Sequence, residues 1–352
     1  MSNMLKITVS PIIEQLHYKY FKEHILSQKN KIYDGYIIGN SIRKTLDGIL
    51  ETLLQDEGEK IAIGDFQTLE SLYQKIQNDW EKMKNEMIGL NNGKGIPVSD
   101  IVSDFFGYKG FVDYKFKKND YSLLRDEKWR EIRWNPYIWV QMLGIRVCPY
   151  CNRSYITTLI TNEHKTRADI DHFLPKSEYP FFSMSLYNWV PSCRICNSSL
   201  KNIKSFDFGD PIPYDTSYDE YFYFEYHKSD FKEKYPIEIC VKVRDNKIDK
   251  ILKTFAIKDI YQNHTDVAWS LCRKKLAYSD SFLKSLRKME YDLNFGECIG
   301  YPEQQSQIDD DVLGKLKRDI AIQVGVIDNP HVRDKNEIIA ELEGLVKAEK
   351  DK

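Results

Sequence analysis

A chain of 352 residues with 42% hydrophobic and 13% aromatic content has the composition of a globular protein of two or three domains. Its formal net charge of −2 excludes a generic polycationic nucleic-acid coat, although local charge still decides binding at a site. No apolar run approaches the roughly 18 residues of a membrane span, and the N-terminus carries no apolar signal core. A cytoplasmic protein without a membrane segment is therefore expected, and seven cysteines suit a reducing compartment.

The N-terminal region, 1–135, reads as mainly helical, with no chemistry of its own. Residues 5–9 suggest one short strand, and Ile13–Leu26 and Ser41–Leu54 carry apolar residues at helical spacing. Asp65 is placed to cap a helix from Phe66 to Met87, whose stripe of Leu69, Leu72, Tyr73, Ile76, Trp80, Met83 and Met87 predicts a core face. Asn91–Pro97 is a turn-rich break, and Tyr114–Asn119 is a basic, aromatic stretch. A helical stretch over Ser122–Ile132 precedes Asn135-Pro136 and the segment Tyr137–Leu143.

Residues 136–205 hold the chemistry. Cys148 and Cys151 form one Cys-x-x-Cys knuckle, and Cys193 and Cys196 form another. Four thiolates complete a closed tetrahedral zinc site, which leaves no open position and is therefore structural. Between the knuckles, Arg153–Thr161 and Arg167–Leu174 read as two strands of a β-hairpin ended by Pro175, and Tyr187–Lys204 reads as a knuckle followed by a helix. His172 is a candidate general base, because its unperturbed pKa lies near neutrality. Asp171 and Asn197 offer oxygen ligands to a hard cation such as Mg²⁺ or Mn²⁺, which could hold a scissile phosphate. The stretch Cys148–Lys204 carries seven Lys/Arg against four Asp/Glu, and Lys176, Arg194, Lys201 and Lys204 are candidate phosphate contacts. Arg153 and His164 are weaker ones.

This stretch resembles the HNH endonuclease superfamily, the ββα-metal nucleases, in its zinc-bound form. The matching residues are Asp171, His172, Pro175, Asn188, Val190, Cys193, Cys196, Asn197 and Lys201. The resemblance implies that His172 is the general base, that Asp171 and Asn197 hold the divalent metal, and that Asn188 is a structural clamp of the active-site loop. Asp169 is common in the family at its position and would support the site. Many members carry histidine where Asn197 stands, and a neutral amide is a weaker ligand. Small proteins of this kind often serve in bacterial anti-phage or mobile-element systems, some beside an ATPase.

The C-terminal region, 206–352, is expected to be α+β and mostly helical. Tyr221–Tyr226 and Pro236–Val243 read as strands, Asp259–Met289 as one long helical region with a basic side, Asp309–Val324 as a helix and the segment from Lys335 as an exposed helix. Cys240, Cys272 and Cys298 are expected to be small buried residues. No P-loop motif is present, so an ATPase would have to be a separate subunit.

The expected fold is α+β, a zinc-stapled ββα-metal core with helical flanks. The expected activity is metal-dependent cleavage of DNA, as the effector of an anti-phage system, either with a protein partner or a second copy docking on the flanks or as a monomer whose flanks pack around the core and present it to DNA. The alternatives are an RNase using the same site, and a non-catalytic zinc module bridging proteins or nucleic acid.

Overall fold

The structure is a computed structural model that describes residues 6–90, 94–113, 122, 128, 131, 133–161, 163–229, 234–289, 310–326 and 334–350. The expectations for Leu5, Asn91–Gly93, Tyr114–Asn119, Cys298 and most of Ser122–Ile132 lie outside them. The fold mixes helices with small antiparallel sheets, an α+β arrangement. The chain forms two compact units, each discontinuous in sequence: Ile7–Ile145 with Ile156–Asp215, and Met1–Lys6 with Arg146–Tyr155 and Thr216–Lys352.

In the first of these units, helices Pro11–His24, Asn40–Leu53 and Phe66–Met83 follow the apolar periodicity. Asp65 caps the last of them, its Oδ1 accepting the Thr68 N–H at 2.8 Å. This helix stops four residues earlier than its apolar stripe predicts. Met87 instead opens a strand, Met87–Leu90, and is 62% exposed. That strand pairs with Tyr36–Ile37 and Gly95–Pro97, whereas residues 6–9 join no ladder. Helix Pro136–Leu143 begins under Asn135, whose Oδ1 accepts the N–H groups of Tyr137 and Ile138. Gly107, at φ +61, turns the chain sharply between helices Val98–Phe106 and Tyr108–Val112, a conformation that costs a side chain energy. This turn delivers Tyr108 to the site.

The strand pairing between the knuckles differs from the expected hairpin. Leu159–Ile160 pairs with Lys165–Thr166 in a short exposed ribbon. Asp169–His172 pairs antiparallel with Trp189–Ser192, in the register Asp169↔Ser192, Ile170↔Pro191, Asp171↔Val190 and His172↔Trp189. Burial explains the choice. Trp189–Ser192 is wholly buried and supplies the apolar partner that the buried strand Asp169–His172 needs. The segment after the second knuckle is a π-helical turn, Ile195–Lys201, in place of the expected α-helix. Trp189, fully buried, centres the core: His17, Phe111 and Trp139 pack on its ring at 4.9, 4.9 and 5.5 Å.

In the other unit, strands Phe222–Lys228 and Ile237–Val243 form a seven-pair antiparallel ribbon. Helix Gly314–Gln323 packs on it through a buried charge network. Asp219 and Asp319 there accept from Lys315 and Arg318, and Asp319 Oδ2 also accepts the Phe224 N–H at 2.9 Å. The single long helix expected over Asp259–Met289 is broken. Helix Ile257–Ile260 gives way to a 3₁₀ turn, Tyr261–His264, before helices Thr265–Ala277 and Asp280–Lys288. At the break the buried Tyr261 hydroxyl donates to the Cys151 carbonyl at 2.7 Å. Helix Lys335–Lys350 is not simply exposed, since Ile338, Leu342 and Leu345 are buried.

Candidate metal centre and adjoining polar site

The two knuckles converge. The sulfur atoms of Cys148, Cys151, Cys193 and Cys196 all lie within 4.8 Å of one another, and all four residues are buried. None is in a disulfide. A tetrahedral zinc with Zn–S bonds of about 2.3 Å spaces its sulfurs by about 3.8 Å, so the quartet could hold a zinc ion. Local geometry shapes each knuckle. Asn152 adopts φ 49 and donates its N–H to the Cys148 carbonyl, turning the chain back after the first pair. The Cys196 N–H points at Cys193 Sγ at 3.4 Å.

Strand Asp169–His172 carries the other chemical groups. Side chains alternate along a strand, so Asp169 and Asp171 share one face and His172 lies on the other. His172 is 7% exposed, and its Nε2 lies 2.9 Å from the Ser183 carbonyl oxygen. The same oxygen accepts the Trp189 Nε1–H at 2.8 Å. A carbonyl can only accept, so this contact requires the proton on Nε2 and leaves the lone pair on Nδ1. The Tyr108 ring meets the imidazole edge-on at 4.3 Å. Burial, helped by the nearby Lys176 ammonium, lowers the His172 pKa to about 3, so the ring is neutral at pH 7.

Asp171 is enclosed as well. Lys201 Nζ lies 2.8 and 2.7 Å from its two oxygens, and both side chains are almost fully buried. Burial lowers the Lys201 pKa, and the Asp171 charge opposes that shift. Asn197 reaches the other carboxylate of the strand: its Nδ2 donates to Asp169 Oδ2 at 3.3 Å. Asn188 is fully buried and closes the loop that follows the strand. Its Oδ1 accepts the Leu174 N–H at 2.7 Å, and its Nδ2 donates to the carbonyls of Leu174 and Phe182 at 3.1 and 3.0 Å.

The four basic candidates separate by exposure. Lys176, Arg194 and Lys204 face solvent, and Lys176 sits over the Tyr108 ring at 4.4 Å, beside His172. Lys201 points inward, a correction to its reading as a phosphate contact. Arg153 donates from Nε to His264 Nε2 at 2.7 Å, and His164 is exposed. Sequence reasoning missed Tyr108 and Ser183, which touch the imidazole. Nothing in the sequence near either residue signals the contact, because both reach His172 through tertiary packing.

Comparison of the chain with family models, with curated proteins and with solved structures gives no match. Among the described residues no helix is long and apolar enough to cross a membrane.

Proposed function

We propose that the chain is a metal-dependent endonuclease of the HNH type, acting on DNA. The observation that carries this reading is the His172 imidazole, held in one tautomer by the Ser183 carbonyl, on a strand that also carries Asp171 and whose following loop is closed by Asn188. With Nδ1 unprotonated, His172 can take a proton from a water molecule. An anionic phosphate beside it raises its pKa toward the working range and strengthens it as a base.

The oxygen donors of Asp171 and Asn197, with Asp169 beside Asn197, have the chemistry of a hard-cation site, and a Mg²⁺ or Mn²⁺ held there would share the Asp171 carboxylate with the Lys201 ammonium. That ion, when bound, supplies charge stabilisation at the scissile phosphate and the leaving 3′ oxygen. The Cys148, Cys151, Cys193 and Cys196 quartet would hold one structural zinc that takes no part in hydrolysis. Lys176, Arg194 and Lys204 are exposed cations available to the phosphate backbone. In this reading the flanking helices dock a protein partner, an ATPase subunit or a second copy, and the enzyme serves as an anti-phage effector.

The test is incubation of the purified chain with plasmid DNA and with RNA, with and without Mg²⁺ or Mn²⁺. Metal-dependent nicking or linearisation of the plasmid is the expected result, and cleavage of RNA alone would make the site an RNase. The enclosure of Asp171 and His172 favours a second reading, a non-catalytic zinc module bridging proteins or nucleic acid. Zinc retained with neither substrate cut would select it.

A further inference from the structure

The ammonium of Lys201 has more acceptors around it than protons to give. Its Nζ lies 2.8 and 2.7 Å from the two oxygens of Asp171, 2.5 Å from the His172 carbonyl oxygen and 3.3 Å from that of Phe173. Three protons cannot serve four oxygens equally, so the arrangement is a cage around a cation rather than a single ion pair. The rings of Phe206 and Phe173 lie 5.0 and 5.9 Å from the same nitrogen, and the side chain is 4% exposed.

The backbone is distorted where the lysine enters. The wide turn Ile195–Lys201 is π-helical, and the next residue, Asn202, adopts φ 44 while donating its N–H to the Asn197 carbonyl at 3.1 Å. Single π turns recur at functional sites, and left-handed backbone at a residue with a side chain persists only where its surroundings hold it. Here the distortion adjoins the residue that fills the cage.

We propose that Lys201 is a positioning residue of the nuclease centre, a resident cation that ties the Asp171 carboxylate to the strand end at His172 and Phe173. The inference rests on the nuclease reading above. Asp171 and His172 project from opposite faces of their strand, so their relative placement depends on the twist at its end. The ammonium holds the carboxylate of one residue and the carbonyl of the other, and that sets the twist. Its inward position leaves it nothing to offer a phosphate.

The experiment compares wild type with Lys201→Ala in two assays. Binding to a labelled duplex is followed in EDTA across a salt series, and plasmid cleavage is followed in Mg²⁺ with and without added methylammonium. Lys201→Ala is expected to keep the affinity and the salt slope of binding, to lose about 10²-fold in cleavage rate and to regain part of it with methylammonium. A surface phosphate contact would lower the salt slope by about one, and that result would overturn the assignment. Cleavage at the wild-type rate by Lys201→Ala, beside an active wild type, would overturn it alone. A wild type inert on DNA and RNA would overturn the nuclease reading and this role together. Should Lys201→Ala fail to fold, the paired variant Lys201→Met with Asp171→Asn removes both charges. Recovery of its melting temperature supports the cage, and an unfolded pair refutes it.

Discussion

The Nε2 of His172 lies 2.9 Å from the carbonyl oxygen of Ser183, an atom that Trp189 also reaches through its indole N–H at 2.8 Å. The ring is thereby held from one side by backbone and from another by Tyr108. If this imidazole is the base of a hydrolytic site, His172→Ala should reduce cleavage by roughly 10²-fold or more while secondary structure and zinc content stay unchanged. Plasmid nicking, circular dichroism and metal analysis on the same preparation check it. Undiminished cleavage would remove His172 from that role.

Asn188 closes its loop with three hydrogen bonds from a fully buried side chain. Asn188→Ala strands the Leu174 N–H and the Leu174 carbonyl away from water, while the Phe182 carbonyl keeps the Ser185 N–H at 3.1 Å. The expected cost is about 3 kcal/mol, since an orphaned buried polar group costs roughly 1–3 kcal/mol. Urea denaturation of the two proteins measures it, and a loss under about 0.5 kcal/mol would show that the loop holds without the amide.

Four buried sulfurs within 4.8 Å of one another should retain zinc through purification. Elemental analysis of protein prepared without added metal is expected to find about one zinc per chain. Cys193→Ser should lose the metal and stability together, because binding energy at such a site is folding energy. A zinc-free chain with an unchanged melting temperature would contradict the site.

His17 supplies a pH dependence apart from the candidate site. It is fully buried, its Nε2 lies 2.8 Å from the Met184 carbonyl and its Nδ1 accepts the Trp134 indole N–H at 3.1 Å. Burial lowers its pKa from 6.5 to about 4. The unfolded chain therefore binds more protons than the folded one between these values. The stabilising effect is complete above about pH 6.5 and is lost as the pH falls toward 4. The loss approaches about 3 kcal/mol, since each tenfold difference in proton affinity corresponds to about 1.36 kcal/mol. Urea midpoints across this range should fall more steeply in wild type than in His17→Gln, and equal slopes would exclude the effect.

At Asp65 the cap bond to Thr68 is a local feature with a local cost. Asp65→Ala should destabilise the chain by about 1 kcal/mol without affecting zinc content, as for other lost N-caps. A thermal melt reads the difference directly, and an unchanged midpoint would mean that the helix start is held by packing alone.

Local features were legible in the sequence. The spacing of Cys148, Cys151, Cys193 and Cys196 anticipated a four-sulfur cluster, because two residues between cysteines suffice to turn both sulfurs to one point. The cap at Asp65 was readable for the same reason, since the side chain and the N–H group it serves lie within a few residues. The strands read over Tyr221–Tyr226 and Pro236–Val243 likewise correspond to Phe222–Lys228 and Ile237–Val243, which pair in the structure.

What lay beyond the sequence are choices made over long separations. The strand Asp169–His172 could have paired with the segment just before it, and its own alternation does not discriminate. Packing settled the matter in favour of Trp189–Ser192, where a fully buried tryptophan lets both strands lie inside the core. The adjacency of Asp171 and His172 was visible from the residues alone. That one would meet Lys201 and the other the Ser183 carbonyl was not, because a charge and a carbonyl far along the chain carry no local mark of where they point. Lysine is usually a solvated surface residue, and only the tertiary structure, by enclosing four oxygens around its nitrogen, turned Lys201 inward.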